Sequence, residues 1–198
     1  MTMLARRICG ECDACCHALK IDTPHFRKKA HAACRHLTGA GCGIYETRYP
    51  VCREFLCGWR LFDGLNDMWR PDRSGVLIVR LSPGNVPEPY RGAGYGMQMD
   101  ILGGEAAVLR PGFAEYVAGQ VQQGVAVQMS AGSPAALVND FLHGVTGIEE
   151  VRQTLLYLHS LLHAARWRRG LGMLMPLYRL KLEQQRAIAL KNSTKTNS

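Results

Sequence analysis

Apolar and polar positions alternate most clearly between residues 75 and 129, where they predict a small mixed unit. Gly75-Val76-Leu77-Ile78-Val79-Arg80-Leu81 is rich in β-formers and stops at Ser82-Pro83-Gly84. Tyr95-Gly96-Met97-Gln98-Met99-Asp100-Ile101-Leu102 alternates until Gly103-Gly104. These segments predict two strands. Pro111 suits the first position of a helix running to about Gln123, with Phe113, Val117 and Val121 on one stripe, and Gly124 to Met129 returns as a third strand. Ser133-Pro134 opens a short predicted helix to His143. Gly147 precedes a longer one in which Ile148, Val151, Leu155, Leu158 and Leu162 recur at helical spacing. Gly170, Gly172 and Pro176 end that helix; an amphipathic helix from about Leu177 to Lys191 and a polar tail, Asn192 to Ser198, expected to be disordered, complete the pattern.

Upstream the pattern is different. To about residue 58 there is little periodicity beyond a turn or two, and Gly10, Gly39, Gly41, Gly43 and Gly58 supply turns. Trp59, Leu61, Phe62, Leu65, Met68 and Trp69 then form an apolar connection that ends at the turn Arg70-Pro71-Asp72-Arg73-Ser74-Gly75. The sequence therefore predicts an α+β fold: a loop-rich N-terminal region over 1–75, then an α+β unit over 76–198 with a small mixed middle and a helical C-terminus.

Composition explains what the loop-rich region needs. All eight cysteines lie between Cys9 and Cys57, as Cys9, Cys12, Cys15, Cys16, Cys34, Cys42, Cys52 and Cys57. Clustered thiolates are soft, preorganised ligands for Zn2+ or an iron–sulfur cluster. A disulfide framework is the competing reading of an even count, and it requires an oxidising compartment. Ile8 leads directly into Cys9, Gly10 and Glu11, with no apolar core segment of a signal peptide, and no stretch approaches a membrane span. The expectation is a reduced, cytoplasmic protein that ligates metal. The net charge of +8 divides as about +4 over 1–75, −2 over 76–147 and +6 over 148–198. Because the basic residues are mixed with aliphatic ones, solvated helix faces account for them better than specific nucleic-acid binding does, with a nucleic-acid or protein partner as the alternative.

Spacing limits how the thiols can be shared. Cys9, Cys12 and Cys15 form a C-x2-C-x2-C run able to share a small cluster with a distant fourth ligand, a pattern that favours iron–sulfur. Cys15 and Cys16 are adjacent and point in different directions, so both ligate only if they face two metals or a polynuclear centre. Two four-thiolate centres, or one centre with four bystanders, both satisfy the count.

The motifs Cys9-Gly10-Glu11-Cys12-Asp13-Ala14-Cys15-Cys16, Cys34-Arg35-His36-Leu37, Gly41-Cys42-Gly43-Ile44-Tyr45, Arg48 and Cys52-Arg53-Glu54-Phe55-Leu56-Cys57 together resemble the CxxCxxCC cysteine-cluster family, the YkgJ-like zinc- or iron-chelating domain. The resemblance covers about residues 8–58, and Arg70 to Gly75 is similar to the segment beyond the cluster in longer relatives. Where the family usually has Arg-Pro after the Tyr, this chain reads Arg48-Tyr49-Pro50, with the distance to Cys52 preserved. The resemblance implies metal chelation by the eight thiols. Members are often labelled iron–sulfur oxidoreductases without a defined substrate, and some relatives carry the module within a flagellin lysine methylase.

Other residues add less. Arg48 and Arg53 are candidates to neutralise an anionic thiolate centre, against the alternative of surface ion pairs with Glu46 or Glu54. His17, His25, His31 and His36 interleave with the thiols, and with eight thiolates available they fit hydrogen-bonding or surface roles, His36, close to Cys34, having the best claim to support a ligand. His159 and His163 stand at i and i+4 but lack the Glu of a hydrolytic H-E-x-x-H motif, which suits a polar helix edge. Gly92-Ala93-Gly94-Tyr95-Gly96 reads as a strand-entry turn rather than a phosphate loop. No paired-carboxylate or Ser-His-Asp pattern assigns a catalytic residue. Three functions remain: an iron–sulfur redox protein or metallo-enzyme of unknown substrate, a zinc-stapled module binding nucleic acid or a protein, and a metal store or carrier.

Overall fold

The computed structural model describes residues 7–132 and 134–167. The expected final helix from Leu177, its preceding stop at Gly170 to Pro176, and the polar tail lie outside them. The architecture is α+β. In the N-terminal region the elements are short: α1 (Ala14–Ala18), the hairpin β1 (Ile21–Asp22) and β2 (Arg27–Lys28), the hairpin β3 (Leu37–Thr38) and β4 (Gly41–Cys42), α2 (Pro50–Glu54) and α3 (Gly58–Leu61). A 3-10 turn (Asp67–Trp69) and α4 (Pro71–Ser74) lead into the sheet. Gly75, at φ +67°, ends α4 in the left-handed conformation. It passes so near Gly103 that a Cβ at Gly75 would lie 2.9 Å from the Gly103 Cα.

The main sheet holds four strands, β5 (Val76–Arg80), β6 (Gly96–Ile101), β7 (Ala126–Ser130) and β8 (Ala135–Leu137), in that spatial order. β5 and β8 are antiparallel to their neighbours, whereas β6 and β7 are parallel, with Met97 opposite Val127. A parallel pair needs a crossover, here supplied by α5 (Gly104–Leu109) and α6 (Phe113–Gln122). Gly103-Gly104 thus stops one strand, as expected, and also opens a helix that the sequence pattern did not predict. The predicted helix from Pro111 begins two residues later, because Gly112 at φ +82° forms the turn between α5 and α6. α8 (Ile148–Trp167) packs on α5 and α6 through Val151, Leu155, Leu158 and Leu162, all buried. Ile148, the first residue of the predicted stripe, is 41% exposed. Full burial of each of those side chains contributes about 1.5–3 kcal/mol.

One helix expectation is corrected. The segment predicted as a helix from Ser133 to His143 instead forms β8 and a single turn, α7 (Asn139–Leu142). The open edge of β7 decides this: the Val138 N–H donates to the Val127 carbonyl (2.7 Å), and the buried Asn139 amide accepts from the Val127 N–H and donates to the Val125 carbonyl, both at 2.9 Å. Satisfying buried backbone groups outweighs the helix preference of two alanines.

The connection after Cys57 belongs to the main core. Cys57, Trp59, Leu65 and Trp69 share one cluster with Val76, Ile78, Met97, Met99 and Val127. Arg7 clamps the same connection, donating to the carbonyls of Trp59, Phe62 and Leu65 with its guanidinium 5.3 Å above the Trp59 ring. Gly58 makes the closest approach, since a Cβ there would lie 2.5 Å from Ile78 Cγ2. Gly58→Ala should therefore overpack this junction and lower stability by about 1–3 kcal/mol. Urea unfolding with an unchanged m-value would register it; wild-type stability would show that the junction relaxes freely.

Candidate metal centre

Local backbone geometry turns the cysteines inward. Gly10, at φ +57°, allows the turn in which the Cys12 N–H donates to the Cys9 carbonyl at 3.0 Å. The Cys16 N–H closes on the Asp13 carbonyl (2.8 Å) as α1 begins, which places Cys15 and Cys16 in that helix. The Cys34 N–H donates to the Cys16 carbonyl (3.1 Å), drawing a residue far along the chain against α1. Cys42 ends β4, Cys52 lies in α2, and Cys57 precedes α3, its carbonyl accepting from the N–H groups of Arg60 and Leu61.

All eight thiols are free, Cys57 buried and the others half-buried. Seven of them, Cys9, Cys12, Cys15, Cys16, Cys34, Cys42 and Cys52, line a chamber of about 250 Å³. Cys57 faces a smaller adjoining cavity of about 30 Å³, which shares Cys9, Cys12, Cys15 and Cys52 with the larger. Among the described residues, no three Cys, His, Asp or Glu side chains converge tightly enough to grip one ion.

The thiols act strongly on one another. Cys15 donates to Cys16, which holds the Cys15 proton and lowers the Cys16 pKa; burial and then Cys9 and Cys12 push Cys15 up further. Cys57 is raised by burial and then by Cys9. Cys52 is raised by burial and then by Cys16, Cys34 and Cys42. Cys9, Cys12, Cys15 and Cys52 line both cavities, so the eight thiols form one continuous set around them.

Cations and one carboxylate surround the thiols. Arg48 lines both cavities, opposes the upward shift of Cys52, and is held by a 2.8 Å bond from Nε to the Tyr45 carbonyl and by stacking 3.7 Å above the Tyr45 ring. Arg53, its sequence-predicted companion, is exposed on α2 and lines neither cavity. Three contributors escaped the sequence reading. Lys28 is 8% exposed, lines the large chamber and donates to three carbonyls. Arg60 lines the small cavity. Asp72 accepts from Cys12 and is itself held by Arg70 through bonds of 2.7 and 2.6 Å, which keep its carboxyl below the usual range; burial lifts Cys12 to about 11. Asp72 lies in the Arg70–Gly75 segment already singled out, but nothing in its spacing foretold contact with Cys12.

The donor set suits a soft metal centre. Arg60 Nε and Trp59 Nε1, whose residues line the small cavity, are buried without an acceptor among the described residues, and anionic sulfur is a fitting acceptor for such donors. His36 lines the chamber, 3.5 Å from the Tyr49 hydroxyl and beside the Phe26–Tyr49 stack. His25 is exposed and His17 meets Asp13 at 3.4 Å on the surface; His31 stands at φ +57° in a loop. Far from the thiols, His159 is buried on α8 with its ring 6.0 Å from that of His163. No family model, curated protein or solved structure matches the chain. No helix among the described residues is long and apolar enough to cross a membrane.

The thiol environments give an order of reactivity in metal-free protein. Nucleophilic attack requires thiolate. Cys16, lowered by its neighbour, should be alkylated at a lower pH than Cys12 and Cys57, which burial raises. Mass-spectrometric mapping of iodoacetamide labelling from pH 6 to 9 checks this; Cys12 reacting first would contradict it.

Proposed function

We propose that this chain is a cytoplasmic metalloprotein whose cysteines hold two four-thiolate centres, iron–sulfur in the reading the chamber favours, with a redox role. The observation that carries it is the gathering of eight free thiols around two adjoining cavities, seven of them at the larger and Cys57 with Cys9, Cys12, Cys15 and Cys52 at the smaller. A chamber of about 250 Å³ is wider than one ion fills, and a cluster several ångströms across suits it better. The motif resemblance to the CxxCxxCC family points the same way. An iron–sulfur centre supplies one-electron chemistry when bound.

The chain's own residues hold, neutralise and shield. Eight thiols are enough to supply two sets of four ligands. Arg48, Arg60 and Lys28 place positive charge beside them. Leu19, Ile21, Phe26, Ile44, Val51 and Phe55 line the chamber with apolar surface, which restricts water and strengthens these interactions. Free thiols suit a reducing compartment. The alternative, a zinc-stapled module recognising nucleic acid or a protein, uses the same ligands, and the metal itself separates the two.

Anaerobically purified protein should contain iron and acid-labile sulfide, with visible absorption; stoichiometric zinc without sulfide would select the stapled module. Protein free of both, with its cysteines paired as disulfides, would overturn metal binding. Cys15→Ser and Cys16→Ser should each lower metal content by about half, since each disables one set of four. Full retention in both variants would remove the two-centre assignment. Metal removal should loosen residues 7–57 in hydrogen exchange while the sheet from Val76 keeps its protection, because Trp59, Leu65 and Trp69 stay packed on that sheet. A uniform collapse would show a single cooperative unit.

A further inference from the structure

We propose that Lys28 is the charge-compensating residue of the large thiol chamber, and that its buried ammonium sets how tightly the thiols there hold metal. The inference rests on the metal-binding reading above and names a determinant within it. Lys28 lies in a run of three basic residues, yet only it turns inward: Arg27 is exposed and meets Asp22 at 3.4 Å, and Lys29 is exposed. Alternation along β2 enforces that choice, because successive side chains point to opposite faces.

The Lys28 Nζ donates to the carbonyls of His17 (3.0 Å), Lys29 (3.1 Å) and Ala32 (2.7 Å). A neutral amine has two protons and an ammonium has three, so three carbonyl acceptors select the charged form. Burial opposes that charge, and Cys34, Cys16 and Cys15 support it in that order. The same bonds fasten the end of α1 to the loop that delivers Cys34. Lys28 lines the large chamber and not the small one, whereas Arg48 lines both. A buried cation beside thiolates offsets the negative charge that they would bring to a metal. Lys28 is thus placed to bring positive charge to the large chamber.

The test uses the full-length protein, stripped of metal and titrated anaerobically with Zn2+ against a chromogenic chelator. Lys28→Met should weaken Zn2+ binding about 10- to 100-fold, the range for loss of a group supporting metal ligands. Lys28→Arg, which keeps the charge but not the three-carbonyl fit, should restore most of the affinity. Unchanged affinity in Lys28→Met, or no recovery with Lys28→Arg, would each overturn the role of Lys28 while leaving metal binding intact. A wild-type protein that takes up no Zn2+ and no iron would instead overturn the metal reading, and the role of Lys28 with it.

Discussion

Thiols gathered around one chamber repel one another as they ionise, and the structure of the first fifty-odd residues follows from how that charge is divided and offset. Cys15 holds its proton for the benefit of Cys16. Arg48 spans both cavities, Lys28 sits against the large one, and Arg60 against the small one. Without such partners the burial of several thiolates costs more than short hairpins and five-residue helices can offset. The region has few apolar side chains of its own in the core: Ala18 and Cys57 reach the main cluster, while Ala14 and Phe26 are buried elsewhere.

The sheet answers that weakness by giving the thiol region a rigid floor. Leu77 of β5 lines the small cavity, and Gly58 lets α3 approach Ile78 closely enough to bury Trp59. The link between the two parts is therefore a packed junction rather than a flexible linker. Its polar counterpart is Arg7, which ties the chain just before Cys9 to three carbonyls of the connection after Cys57. First and last cysteines are held near each other by residues outside the motif. Through Asp72, held by Arg70, α4 adds a further contact to Cys12.

Much of the sheet was legible along the chain, because period-two alternation and Gly or Pro stops mark β5, β6 and β7 directly. The α8 stripe was equally plain, and four of its five side chains, all but Ile148, are buried. Two elements were not. Gly103-Gly104 reads as a stop, yet the chain must cross over to make β7 parallel to β6, and α5 supplies part of that crossover. Ala135-Ala136-Leu137 has helical residues, but an unpaired edge of β7 offers backbone hydrogen bonds that a local preference cannot match.

By itself the sequence determined the chemistry of the candidate ligands: eight soft donors, their spacing, and the divergence of Cys15 from Cys16. It also determined the α+β class, since both periodicities lie on the chain as local patterns. Only the tertiary structure decided which cysteines lie near one another: the Cys34 N–H reaches the Cys16 carbonyl, and Cys9 and Cys57 line one small cavity across tens of residues of chain. It likewise chose among the basic residues. Arg48 and Arg53 look alike in sequence, but one faces the chamber and the other faces water, while Lys28 between two exposed bases is turned inward. Side-chain direction in such short elements is fixed by the partner strand and the carbonyls it finds, and those come from elsewhere in the chain.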